Sequence, residues 1–128
     1  MPLPRYEYNG PVDHTLPIDT SKLKGKSVII TGGANGMGES CVRGFVEAGA
    51  YVTIGDFADR GEDIAKELNE KYGKEVCVFV KVDIRDWNQQ VAMFETAKSR
   101  SPENSVDIVI ANAGISRSSG DSMWQLDG

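Results

Sequence analysis

Four short runs of β-branched and aliphatic residues recur along this chain, and each of the first three leads into a segment of helical periodicity. Ser27-Val-Ile-Ile-Thr31, Tyr51-Val-Thr-Ile-Gly-Asp56, Val76-Cys-Val-Phe-Val-Lys-Val82 and Val106-Asp-Ile-Val-Ile-Ala111 read as strands. Between them, Met37, Cys41, Phe45 and Ala48 mark a first helix that Gly49 ends. Ile64, Ala65, Leu68 and Tyr72 mark a second, closed by Gly73. Asp86 is the expected N-cap of a third, with Trp87, Val91, Phe94 and Ala97 on one side and Pro102 as its stop. Strands alternating with helices predict an α/β fold. Its core is a doubly wound parallel sheet, βαβαβαβ in chain order, with right-handed crossovers.

Length and charge bound the rest. The chain has 128 residues, enough for one domain. Its 19 acidic against 14 basic side chains give a net charge of -5, which argues against nucleic acid or an anionic membrane surface as partner. No apolar run approaches the roughly 20 residues of a membrane span, and Met1 to Gly10 has no apolar signal region. Cys41 and Cys77 are too few and too far apart for a disulfide scaffold or zinc site, and read as buried free thiols of a reducing, cytoplasmic setting. Residues 1–25 carry Pro2, Pro4, Pro11 and Pro17 and read as an extended arm, lying on the domain or on a neighbouring subunit, or else as a disordered tail. The lone histidine, His14, sits in this arm without catalytic companions. The folded domain is expected over residues 26–128, and Gly114 to Gly128 reads as a loop that begins another element.

Thr31-Gly-Gly-Ala-Asn-Gly-Met-Gly38 follows a strand and opens a helix. Glycines there allow a tight turn and close backbone approach to a ligand, and the helix N-terminus beyond can hold a pyrophosphate. Gly32, Asn35, Gly36, Met37 and Gly38 are therefore candidate cofactor-binding residues. Asp56 ends the second strand somewhat over 20 residues later, near the spacing of an acid that binds an adenosine ribose. A carboxylate there accepts hydrogen bonds from ribose hydroxyls and repels a 2′-phosphate. Two such charges near 4 Å cost up to ~4 kcal/mol at an effective dielectric of ~20. Asn35 is neutral, and no Arg or Lys follows Asp56 until Arg60, so NAD is expected over NADP. Asp83, after the third strand, is a candidate acceptor for the adenine amino group. Asn112, after the fourth, would anchor neighbouring backbone and shape the floor beneath the cofactor.

These residues together resemble the short-chain dehydrogenases/reductases. Thr31–Gly38 matches that family's T-G-x-x-x-G-x-G turn, Val82-Asp83 its acidic position, Asn112-Ala-Gly114 its N-A-G motif, and Asp56-Phe57 its NAD-preferring pattern. The likeness runs from about Lys24 to Ser116 and is nearest to filamentous-fungal members similar to 15-hydroxyprostaglandin dehydrogenase, many of which serve secondary metabolism. It implies a Rossmann-like fold and hydride transfer between a dinucleotide and a small-molecule alcohol or ketone. It also implies a catalytic Ser and a Tyr-x-x-x-Lys pair, with Tyr as acid/base. The residues four beyond Tyr6, Tyr8, Tyr51 and Tyr72 are Gly10, Val12, Gly55 and Val76, so no catalytic residue is assigned.

The chain is accordingly expected to be the cofactor-binding half of such an enzyme, shortened before the catalytic half. The alternatives are a catalytically inactive dinucleotide-binding module, which could pair with a full-length relative or form a homo-oligomer, and a non-functional remnant. A sheet ending at the fourth strand would leave an open edge and uncovered faces at Val28, Ile30, Val109 and Ile110.

Overall fold

The computed structural model describes residues 4–114. The elements follow in the expected order: β1 (Ser27–Thr31), α1 (Gly36–Glu47), β2 (Tyr51–Asp56), α2 (Arg60–Tyr72), β3 (Cys77–Lys81), α3 (Trp87–Arg100) and β4 (Ile108–Ile110). The strands form one parallel sheet in the order β3-β2-β1-β4. β1 is central and covered on both faces, which is why it reads as an unbroken apolar run rather than an alternating one. Val28 and Ile30 pack with Val42 and Val46 of α1 and Ile64, Ala65 and Leu68 of α2. Ile29 points the other way, into a smaller cluster with Val82, Met93 and Ala97 under α3.

Three expectations are corrected. Val28 and Ile30 are fully buried beneath α1, so they need no other cover; Ile110 is half-buried, and only Val109 of the four is substantially exposed, at 46%. In α1 the stripe against the sheet is Gly38, Val42 and Val46, with Cys41 and Phe45 only partly covered; Met37 is 80% exposed. In α3, Met93 and Ala97 are buried, whereas Trp87 is 75% exposed and Val91 and Phe94 are close to 40%. These three side chains line an open apolar groove with Val106. β3 and β4 are also shorter than their apolar runs, because β3 pairs with β2 only over Cys77–Lys81 and β4 with β1 only over Ile108–Ile110.

Residues 4–20 form no regular element and are exposed, Gly10 being half-buried, so the arm does not bury itself against the sheet. The expected loop beyond Gly114 lies outside the described residues. Cys77 is buried, which pushes its thiol up to about 12; Cys41 is half-buried, and both are free. No described helix is long and apolar enough to cross a membrane.

Side chains pin the strand ends. Asp107 Oδ2 accepts from the Ser27 amide at 2.8 Å, and this bond holds its carboxyl below the usual range. Its contribution is therefore complete above the ordinary Asp value of about 3.9 and fades as pH falls below it. Asn69 on α2 accepts from the amides of Val76 and Cys77 at 2.8 and 2.9 Å and donates to the Cys77 carbonyl at 2.8 Å. It thereby fixes where β3 starts relative to the helix before it. Asn69→Ala leaves those three backbone groups without partners and is expected to cost about 1–3 kcal/mol, read as a lower urea midpoint with unchanged m.

Candidate functional site

The order β3-β2-β1-β4 places the reversal of winding between β1 and β4, and an open parallel sheet has its ligand crevice there, beyond the carboxyl ends of the strands. Four connections meet at that edge. The first is the glycine turn. Gly32 leaves β1 with φ +68° and Gly36 enters α1 with φ +54°, both in the region where a side chain is strained. A Cβ on Gly38 would lie 2.0 Å from the Gly32 carbonyl oxygen and 2.7 Å from Asn112 Nδ2. The turn can double back onto the first turn of α1 only because residue 38 has no side chain. Asn35 is in extended backbone at the cap position and makes no side-chain cap bond, so no side chain closes the N-terminus of α1. α2 likewise starts without a side-chain cap at Asp59, whereas Asp86 caps α3 by accepting from the Gln89 amide at 3.2 Å.

Asp56 clasps this turn. Its Oδ2 accepts from the Ala34 amide at 3.0 Å and its Oδ1 from the Ala58 amide at 2.9 Å. From α2, Arg60 donates to the Ala34 carbonyl and pairs with Glu39. Glu39 also faces Arg43 at 3.5 Å, and Arg43 forks onto Glu67 at 2.9 and 3.0 Å. That fork raises the Arg43 guanidinium and lowers the Glu67 carboxyl. The chain of charges ties α1 to α2, with Arg60 at the end nearest the turn.

Across the crevice, β4 is anchored to β1 by its trailing residues. Thr31 Oγ1 accepts from the amides of Asn112 and Ala113, each at 3.1 Å. Asn112 Nδ2 donates to the carbonyls of Thr31 and Gly32 at 3.2 and 3.3 Å. Asn112 thus sits behind the turn, as a brace.

The third wall follows β3. Val82 donates its amide to the Asp56 carbonyl at 2.9 Å, and the Asp83 amide donates to Gln89 Oε1 at 2.8 Å. The Asp83 carboxylate is held by Arg85, Nε to Oδ1 at 3.0 Å and Nη2 to Oδ2 at 2.8 Å, with the Arg85 amide also on Oδ1 at 3.0 Å. These bonds, the side-chain fork foremost, bring its carboxyl down to about 2.

The resulting cleft has a volume of about 320 Å³ and is lined by Gly32, Asn35, Gly55, Asp56, Phe57, Val82, Asp83, Ile84, Arg85, Ala113 and Gly114. That is at the lower end for ligand pockets, which span ~300–1,000 Å³. Of the residues singled out in the sequence, Gly32, Asn35, Asp56, Asp83 and Gly114 line it. Gly36, Met37, Gly38 and Asn112 do not: Gly38 and Asn112 lie against the turn's carbonyls, and Met37 points to solvent. Ile84 and Arg85 on the wall, and Arg60 and Gln89 behind it, belong to no motif in the sequence; Thr31 opens the glycine-turn motif, but its bonds to Asn112 and Ala113 need the fold. Among the described residues no group of three His, Cys, Asp or Glu side chains could hold a metal ion. The cleft offers apolar walls and two carboxylate acceptors; the first residues of α1, Gly36, Met37 and Gly38, lie outside its lining and have no side-chain cap.

Comparison with known proteins agrees with this fold. The family profile for short chain dehydrogenases matches residues 26–127. A (+)-cis,cis-nepetalactol synthase from Nepeta racemosa is 36% identical over 106 residues, covering 83% of this chain and 38% of the relative. A 5'-hydroxyaverantin dehydrogenase from Dothistroma septosporum is 37% identical over 99 residues, covering 76% of this chain and 32% of the relative. L-sorbose reductase from Gluconobacter frateurii, solved with NADPH and L-sorbose, superposes with a TM-score of 0.67 at 28% identity, over 80% of this chain and 37% of that one. The chain therefore spans 32–38% of the length of these relatives. With the profile covering most of its residues, the chain belongs to the short chain dehydrogenase family.

Proposed function

We propose that this chain supplies the dinucleotide site of an NAD-linked oxidoreductase acting on an alcohol or ketone. The observation that carries the reading is the uncapped N-terminus of α1, folded against a turn that tolerates no side chain at residue 38, beside the Asp56 carboxylate. Asn35, Gly36, Met37 and Gly38 would face the pyrophosphate with backbone donors rather than side chains, beside Gly32, whose own amide is held by the Gly55 carbonyl at 2.8 Å. Asp56 has one lone pair left on each oxygen after its two amide bonds, which suits the paired hydroxyls of a ribose. Asp83, between Val82 and Ile84, suits the edge of an adenine, and Asn112 and Gly114 shape the floor. The residues present fit the group. When bound, the dinucleotide supplies the hydride acceptor or donor; this chain's residues bind it and set its orientation, and no proton-transfer role falls to any of them.

The preference for NAD over NADP rests on charge. The Arg60 guanidinium is the nearest cation to the turn, and Glu39 and the Ala34 carbonyl already engage it. Arg85, on the same cleft, is paired with Asp83, so among the described residues a 2′-phosphate would meet Asp56 without a free cation to offset it. The competing reading, NADP, is favoured by the NADPH held by L-sorbose reductase. A fungal secondary-metabolite substrate is supported by likeness to the Dothistroma dehydrogenase, and a cytoplasmic site by the free cysteines.

Calorimetric titration of the full chain with NAD and NADP tests the reading. Asp56→Ala is expected to shift the NAD-to-NADP affinity ratio at least tenfold toward NADP; an unchanged ratio refutes the ribose assignment. Gly38→Ala puts a methyl group into the Gly32 carbonyl. It is expected to weaken NAD binding more than tenfold, and undiminished binding would place the pyrophosphate elsewhere.

A further inference from the structure

We infer that Arg85 is a specificity-positioning residue: by closing a fork on Asp83 it leaves one acceptor site that admits a base bearing an amino group and rejects one bearing a keto group. The inference rests on the dinucleotide reading above and adds a determinant of base identity to it. A carboxylate offers about four acceptor positions. On Asp83, Oδ1 already receives two donors, the amide and Nε of Arg85, and Oδ2 receives one, from Nη2. The single position left is on Oδ2. The loop cannot turn it away freely. The Asp83 amide is held by Gln89 at 2.8 Å, the Asp86 amide by the Asp83 carbonyl at 2.9 Å, and the Ile84 carbonyl by Gln90 at 2.5 Å.

Asp83 is only partly exposed, its side chain at 27%, and shares the cleft wall with Val82 and Ile84. The pairing also keeps the carboxyl ionised down to about pH 2, so it presents an acceptor and never a donor under working conditions. An exposed ion pair adds little to stability, and Arg85 is mostly exposed, so the fork's consequence lies in geometry. With the fork closed, a keto oxygen facing Oδ2 meets an unrelieved like partner. With it open, the carboxylate can rotate and the penalty is lost.

The test compares NAD with nicotinamide hypoxanthine dinucleotide, which carries a keto group in place of the adenine amine, by calorimetric titration of the full chain. Wild type is expected to prefer NAD at least tenfold. Arg85→Met should narrow this to less than threefold, largely by improving binding of the hypoxanthine analogue. Arg85→Lys, which keeps the charge without the fork, should narrow it as well, and Asp83→Asn should abolish it. An unchanged ratio in Arg85→Met, an equal fall in both affinities, or no preference in wild type overturns the assignment to Arg85. Failure of wild type to bind either dinucleotide overturns the cofactor reading instead.

Discussion

The Gly32 carbonyl lies where a side chain of residue 38 would begin. Most of the site follows from that contact. It folds the β1 exit flat against the first turn of α1 and brings Asn112 within reach of the same carbonyl. The Ala34 amide is left to the Asp56 carboxylate at the end of β2. Three strands are thereby fastened to one turn by bonds that do not involve the sheet ladder. The ladder sets the spacing of the strands, and the turn sets the shape of their ends.

The features legible in the sequence were those with local causes. The four strands, the three helices, the glycine turn, the Asp86 cap and the positions of Asp56 and Asn112 all follow from adjacent residues, and all stand in the structure. The helix faces were misjudged because large side chains are conspicuous. Met37, Trp87 and Phe94 mark a period, yet close packing on a sheet selects smaller or more pliant residues, here Gly38, Val42, Met93 and Ala97. Gly55 shows the reason: a Cβ there would lie 2.2 Å from Met93 Sδ, so α3 rides directly on β2. The partners of Arg60 and Asn69 have no signature in the sequence, because each acts through groups that only the fold brings near.

A net charge of -5 is an awkward background for an anionic ligand, and the structure answers it locally. The two carboxylates on the cleft are both committed, Asp56 to backbone amides and Asp83 to a guanidinium. Glu39, in the first turn of α1 where it would compete with an anion for the helix dipole, is paired with Arg60 and Arg43. The acidity is distributed so that the helix terminus keeps its positive end.

The anchoring of β4 also sets an order of assembly. Ser27 pairs with Tyr51 across a short connection, whereas Val28 pairs with Ile108 across most of the domain. Closing the longer loop costs about 1 kcal/mol more in chain entropy, and the ladder it gains is three pairs long. Loop-closure entropy thus favours β4 as the last of the four described strands to join the sheet. Until it does, the carbonyls of Thr31 and Gly32 lack the Asn112 amide, and the turn lacks its brace. The binding cleft matures when β4 docks, so a ligand drawn to it selects for chains in which β4 has joined β1.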